Sequence, residues 1–485
     1  AYATEKRLRI LWLTRTASQV RQVASLTGAT PVYGRRLLCL HEVISRVDQR
    51  RFNHTCKATR QAGRCPYYPG RPRMIRATTV GELKEAGAKL STCPYEVQLA
   101  NLWNAEALAA THKQLGLGWL LAKWKWTREK TLLILDEGHH IMQMAMRDSI
   151  SLRTVERAAS EAERYGFGEL AQRLRDAVEY YGNLLNSDEE VEAEDRLPDY
   201  EELTIAGEEV QEKKLTQNYA PASHLLSLAY FKASLAGGKP FVVREGRSVR
   251  LEATADPQEV IRKTYSGWHR TVTLSATLSG ELIEDLLGEE VILLRAGWPY
   301  GDNLRVVLVS GMSTKYEARD DKMLKDIRWI LGLAQLAQRR GGKTLIFLPS
   351  FEILETTAAG LDLLREDMGM SQEEVDRLIS EFHGSGKPLA AVFNGRLSEG
   401  IDLSASTVLL IGIPFSPPTT RMAKLLKRLA EIVGDEDRAR LYGVILPGLW
   451  SALQAAGRAV RGPEDKADVY LIDDRYRSLV RLLPR

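Results

Sequence analysis

Thr131-Leu-Leu-Ile-Leu-Asp-Glu-Gly-His-His140 runs five apolar or β-favouring residues into two adjacent carboxylates. Such a run reads as a buried parallel strand, delivering Asp136 and Glu137 to the carboxyl edge of a sheet. α/β proteins bind nucleotides at that edge. One carboxylate there can hold Mg²⁺, and its neighbour can orient or deprotonate an attacking water. A strand that simply ends in an acidic turn is the competing reading of so short a pattern.

A second group is Gln454-Ala-Ala-Gly-Arg-Ala-Val-Arg461. On a continuous helix Gln454, Arg458 and Arg461 fall at i, i+4 and i+7 and share one face. A Gln and two Arg converging on one point suit a γ-phosphate and its water, because Arg neutralises charge developing in phosphoryl transfer. The alternative is an amphipathic helix with Arg on its wet face, but the small residues between favour close packing. Upstream, Gly395-Arg-Leu-Ser-Glu-Gly-Ile-Asp402 follows the strand Leu389–Phe393. Gly395 and Gly400 permit tight turns near a ligand, and Ser398, Glu399 and Asp402 supply polar groups there. Gly342-Lys-Thr344 is a decoy. A phosphate-binding loop needs Gly five positions earlier, where Ala337 stands, and it needs a strand before and a helix after.

Cys39, Cys56, Cys65 and Cys93 all lie in one 55-residue window, separated by 16, 8 and 27 residues. None of the intervals is the Cys-x₂-Cys knuckle of most zinc sites, which disfavours zinc without excluding it. Disulfides would need an oxidising compartment. Four thiolates from separated loops suit a 4Fe–4S cluster, so iron–sulfur leads zinc and neither. The same window is basic, with 13 Lys/Arg against 4 Asp/Glu from Tyr33 to Cys93, which points to a polyanion or to a solvated surface. Ser187 to Glu212 carries 12 acidic residues against 1 basic and reads as a mobile, solvated connector.

Around these groups the chain alternates strand and helix. A strand at Arg9–Thr14 ends in Thr14-Arg15-Thr16, groups that suit phosphate contacts or a plain polar loop. Residues 96–130 read as helical, with Trp119, Trp124 and Trp126 packing under the sheet or stacking on bases. Residues 149–186 and 219–236 have helical periodicity, followed by short strands at 240–243 and 249–252. Strands are predicted at 272–277, 291–295, 304–310, 344–348, 389–393, 407–413 and 468–472. At 485 residues, with 44% hydrophobic and 27% charged residues, the composition is that of two to four soluble domains. No apolar run approaches the roughly 20 residues of a membrane span. The first residue is Ala and a strand follows almost at once, so the chain reads as lacking its front end.

Taken in order, these residues resemble the XPD family, iron–sulfur DNA helicases of superfamily 2. Thr14-Arg15-Thr16 looks like motif Ia, and Asp136-Glu-Gly-His139 like the family's Asp-Glu-Ala-His box with Gly138 for Ala. Ser275-Ala-Thr277 looks like motif III, Leu345–Ser350 like motif IV, Gly395–Asp402 like motif V and Gln454–Arg461 like motif VI.

The resemblance implies an α/β fold with two RecA-like parallel-sheet motor domains, ATP sitting at their interface. The first would comprise residues 1–32, 94–148 and 266–300, with an iron–sulfur insert at 33–93 and a mostly helical Arch insert at 149–265. The second would comprise 301–485. It implies 5′→3′ translocation on single-stranded DNA and opening of forked duplexes, with ATP and Mg²⁺. Cys39, Cys56, Cys65 and Cys93 would hold the 4Fe–4S cluster, and Asp136 the Mg²⁺. Glu137 would activate water, and His139 would link the nucleotide to the interdomain contacts. Gly400, Asp402, Gln454, Arg458 and Arg461 would bind the nucleotide. Thr14, Arg15, Thr16, Arg35 and Arg36 would meet DNA. A monomer in a prokaryotic cytoplasm, or a nucleus, is the matching setting, with no membrane. The family's phosphate-binding loop has no counterpart here, so weak ATP binding and no unwinding by this chain alone are expected.

Overall fold

The computed structural model describes the chain except residues 1, 69, 71, 76, 103, 113–125, 141–147, 185–189, 218–220, 246–247, 255, 276–278, 298–302, 338–341, 371, 399–402, 417, 461 and 484–485. It forms two compact units, Ala1–Glu290 with Thr419–Arg428, and Val291–Pro418 with Leu429–Arg485. The second unit thus starts close to the expected boundary, but a ten-residue segment beyond it belongs to the first.

The strands of the first unit are β1 (Arg9–Thr14), β2 (Thr30–Val32), β3 (Ala107–Thr111), β4 (Thr131–Asp136), β5 (Asp148–Ser151), β6 (Glu190–Glu192), β7 (Phe241–Glu245), β8 (Ser248–Ala253) and β9 (Arg270–Leu274). A parallel sheet has the order β2-β3-β1-β4-β9. One face of its central strands is buried, with Leu11, Leu13, Leu133 and Leu135 in the core, while Trp12, Leu132 and Ile134 on the other face are half-buried. The reading of 96–130 as helical fails at β3. Pro94–Asn101 is helix and Arg128–Lys130 a single 3₁₀ turn, but Ala107-Leu-Ala-Ala-Thr111 pairs with β1 on one side and β2 on the other. Its alanines favour helix locally, but two ladder partners and complete burial of Ala109 and Ala110 override that preference.

The residues between β4 and β9 form the second insert. The helices Leu152–Arg164, Gly168–Asn183, Tyr200–Thr216 and His224–Ser234 pack on an antiparallel sheet of order β5-β8-β7-β6. Val155, Leu174, Tyr181, Leu203, Phe231, Val242 and Leu251 share its core. The acidic stretch is therefore no mobile connector. Glu190–Glu192 is β6, and Leu203, Ala206 and Val210 of its helix are buried.

Its charge is answered from far along the chain. The helix Thr420–Val433 begins in the first unit, where Arg421, Lys424 and Arg428 lie on one side. Arg421 pairs with Glu252 and Glu190, Lys424 with Glu192, and Arg428 with Asp256. Glu190 also accepts the Arg421 backbone N–H at 2.6 Å.

In the second unit β10 (Leu304–Val309), β11 (Thr344–Leu348), β12 (Leu364–Arg365), β13 (Leu389–Val392), β14 (Thr407–Ile411) and β15 (Ala467–Ile472) form a parallel sheet of order β10-β15-β14-β11-β13-β12. The expected strand at 291–295 is absent: those residues carry no regular structure, and Ile292 and Leu294 are 88% exposed. β propensity needs a ladder partner, and 291–295 has none among the described residues.

The two glutamates facing Arg421 are nearly buried, and stranding a buried charge costs about 3–5 kcal/mol. Arg421→Ala should therefore lower unfolding free energy by several kcal/mol in urea titrations. Lys424→Ala, at an exposed pair, should lower it by less than about 1 kcal/mol, and that loss should vanish in high salt.

Candidate functional site

Register places the first group. Leu135 lies opposite Leu13, and Asp136 opposite Leu274, so β4 and β9 deliver Asp136 and Ser275 to the same carboxyl edge. The chain turns sharply there: Glu137 has φ 52°, a left-handed conformation that non-glycine residues adopt at a cost and that gathers at functional sites. His139 is 1% exposed. Its Nδ1 lies 2.8 Å from Ser275 Oγ and 3.5 Å from Glu137 Oε2. Burial pushes the Asp136 carboxyl above the usual aspartate range, while the Glu137 N–H donated to its Oδ1 at 3.0 Å pulls the other way. Gly138 is imposed by its surroundings. A Cβ there would stand 2.1 Å from Thr273 Cγ2, and Thr273 Oγ1 is held by Tyr265 Oη at 2.8 Å.

His112 went unnoticed in the sequence because β3 did. One residue past β3, 4% exposed, its Nε2 donates to the Asp136 carbonyl at 2.7 Å. Burial holds its pKa below the ordinary histidine range, so a neutral imidazole braces the turn. The strand end at β1 behaves differently from expectation. Thr14 is fully buried and donates to the Thr16 carbonyl, and Thr16 caps the helix Ala17–Thr27 with Gln19, so neither hydroxyl is spare for phosphate. Arg15 remains half-buried at that edge. Trp126 is packed in the core, as expected, with Arg9 over its ring. Trp119 and Trp124 lie outside the described residues.

The four cysteines come together. Cys39, Cys56, Cys65 and Cys93 line one pocket with Phe52, Arg35 and Arg60, all four as free thiols. Burial pushes the Cys39 thiol up to about 11 and raises those of Cys65 and Cys93. Arg35 is turned inward rather than toward a nucleic acid: it stacks on Tyr95 at 4.1 Å, as Arg60 does on Tyr68 at 4.0 Å. Both reach Glu96, at 3.5 and 3.7 Å. Arg35 Nη1 and Arg60 Nε are buried without a hydrogen bond. Arg36 is exposed, its Nε donating to the Val47 carbonyl. Among the described residues no three His, Cys, Asp or Glu side chains are placed to hold a single metal ion.

In the second unit the helix Leu446–Ala456 ends before the second arginine position. Gly457 closes it by donating to the Leu453 carbonyl, and Arg458 lies in the following turn. Gln454 and Arg458 thus do not share a helix face as the spacing predicts. From Gly457 on the helical ladder gives way to tighter turns, with Arg458 N–H donating to the Ala455 carbonyl and Ala459 N–H to that of Ala456. Arg461, Gly400 and Asp402 lie outside the described residues, as do Ala276 and Thr277. Asn394 (φ 62°) accepts from Ser451 Oγ at 2.7 Å, tying the 394–398 turn to the helix that carries Gln454.

Two parallel α/β units, one ending in an Asp-Glu-x-His turn, define the helicase class of nucleotide-driven motors. Residues 12–158 match the DEAD_2 family and residues 333–484 the family described as Helicase C-terminal domain. The chain belongs to the XPD-like helicases of superfamily 2. It is 24% identical over 440 residues to the ATP-dependent DNA helicase XPD of Sulfolobus acidocaldarius, covering 82% of this chain and 75% of that protein. It is 21% identical over 584 residues to the ATP-dependent DNA helicase CHL1 of Meyerozyma guilliermondii, covering 96% and 69%. A solved XPD helicase structure superposes with a TM-score of 0.74 at 20% identity, covering 97% of this chain and 89% of its own. An XPD apo structure gives 0.62 at 18%, covering 99% and 96%.

Two outcomes follow from the Asp136 turn. Gly138→Ala should destabilise by about 1–3 kcal/mol through overpacking. Thr273→Ser removes the opposing methyl, keeps the hydroxyl for Tyr265, and should cancel most of that loss in a double-mutant cycle. Asp136→Asn should raise the melting temperature at pH 7.5. A buried acid with a raised pKa weakens the fold once ionised, so the gain should shrink as pH falls toward the ordinary aspartate range and both forms become neutral.

Proposed function

We propose that this chain carries out the work of an ATP-dependent 5′→3′ DNA helicase that bears a 4Fe–4S cluster. The observation that carries the reading is the Asp136-Glu137 turn at the sheet's carboxyl edge, with His139 locked to Ser275. Asp136 would hold Mg²⁺ and Glu137, already in a left-handed turn, would orient the attacking water. His139, buried and bonded to both Glu137 and the strand-end Ser275, would couple that turn to β9. Gln454 and Arg458 would meet the nucleotide's phosphates from the second unit's sequence, and Arg15 and Arg36 would meet DNA phosphates.

The cysteine pocket supports the cluster: Cys39, Cys56, Cys65 and Cys93, drawn from separate segments, all line it, and a 4Fe–4S cluster takes four thiolates. Arg35 and Arg60, which share Glu96, add cationic groups that line the same pocket, suited to the negative charge of four thiolates. When bound, such a cluster ties four separate loops together and stiffens the insert.

The alternative reading is a DNA-binding scaffold without hydrolysis, and turnover separates the two.

Anaerobically purified protein should contain about four irons and four sulfides per chain with a broad absorption near 400 nm, as a four-thiolate cluster requires. It should bind single-stranded DNA with an affinity that falls steeply with salt. If any duplex is opened with ATP, a 5′-tailed fork should be and a 3′-tailed one should not. Zinc in place of iron, or a 3′-tail preference, would overturn the assignment, and DNA binding without ATP turnover would select the scaffold.

A further inference from the structure

Glu366 follows β12 and is 2% exposed. Both of its carboxylate oxygens face backbone. Oε2 accepts from the Val392 N–H at 3.1 Å and Oε1 from the Arg396 N–H at 2.6 Å, with the Leu397 N–H a further donor. Its own N–H donates to the Ala390 carbonyl, which anchors it beside β13. The carboxylate also occupies the space a side chain at 395 would need. A Cβ on Gly395 would lie 2.5 Å from Glu366 Oε2 and 2.6 Å from Oε1. Gly395 is therefore glycine because of Glu366, and its φ is not in the left-handed region. The next residue back, Asn394, is left-handed and held by Ser451, three residues before Gln454.

So one short turn is gripped from two directions: a buried carboxylate inside, and a serine on the Gln454 helix outside. Burial works against the ionised carboxylate, and the converging N–H groups answer it. Nothing in β12 itself needs a carboxylate there. An apolar residue there would leave the Val392 and Arg396 N–H groups without this acceptor, so the carboxylate's role lies in what it holds.

We propose that Glu366 is a positioning residue that fixes the 392–398 turn, and through Asn394 sets the Ser451 face of the helix bearing Gln454. This rests on the helicase reading only for what those residues then do. The gripping of the turn stands on geometry alone.

The test uses the full chain and four variants, Glu366→Gln, Glu366→Ala, Gly395→Ala and the double Glu366→Ala/Gly395→Ala. By hydrogen–deuterium exchange, Glu366→Gln should speed exchange of amides in 392–398 about tenfold or more, while peptides of β11 and β14 stay as protected as before. Gly395→Ala should shift the unfolding equilibrium constant about tenfold against the native chain, yet have little effect on top of Glu366→Ala, since the methyl then enters vacated space. Titration with a fluorescent Mg–ADP analogue should show weaker binding by Glu366→Gln than by the native chain. Unchanged exchange in 392–398, or equal harm from Gly395→Ala in both backgrounds, would overturn the proposal. Local loosening with no nucleotide binding by any form would uphold the positioning role and sink the helicase reading instead.

Discussion

A side chain can leave the interior of a parallel sheet toward a ligand only at the strand ends. In the first unit that constraint gathers the chemistry. The ladder between β4 and β9 sets Asp136 beside Leu274, and the next residues on each side, Glu137 through His139 and Ser275, are brought together as a consequence. The 2.8 Å contact between His139 and Ser275 is a product of register, and a slip of one residue would turn every member away. His112 depends on the same sheet, reaching the Asp136 carbonyl from the end of a strand two places over.

The insert chemistry obeys a different constraint. Four cysteines spread over 55 residues have no local reason to meet. They meet because the helix Gln49–Gln61, the short helix Arg35–Leu38 and the start of Pro94–Asn101 surround one pocket, with Phe52 and Ile44 beneath it. The arginines that seemed suited to DNA by composition are partly consumed here. Arg35 and Arg60 lie over tyrosine rings and share Glu96, so a basic count over this window overstates the charge left for phosphate.

Charge elsewhere is also structural. The acidic stretch looked solvated because twelve carboxylates cannot all be buried, yet its apolar residues fall at helical spacing and its β6 glutamates find Arg421 and Lys424 some 230 positions away. Opposite charge on a distant helix turns a sequence that repels itself into a docking strip. Glu366 is the same effect in miniature, a carboxylate justified only by the backbone amides that fold around it.

The sequence by itself determined the strands whose apolar runs are nearly continuous, β1, β4, β11, β13, β14 and β15, because such a run needs no partner to be read; β11 and β13 are buried throughout and the other four mainly on one face. It also determined the Asp136-Glu137 pair, the four cysteines and the family. Tertiary structure alone decided the alanine-rich β3, the absence of a strand at 291–295, the end of the Gln454 helix at Gly457 and the inward turn of Arg35. Each of these rests on what lies alongside in space: two ladder partners, no partner, a capping carbonyl, an aromatic ring. Local propensity carries no information about such neighbours, and so residues such as His112, Thr273 and Glu366 became visible only once the chain was folded around them.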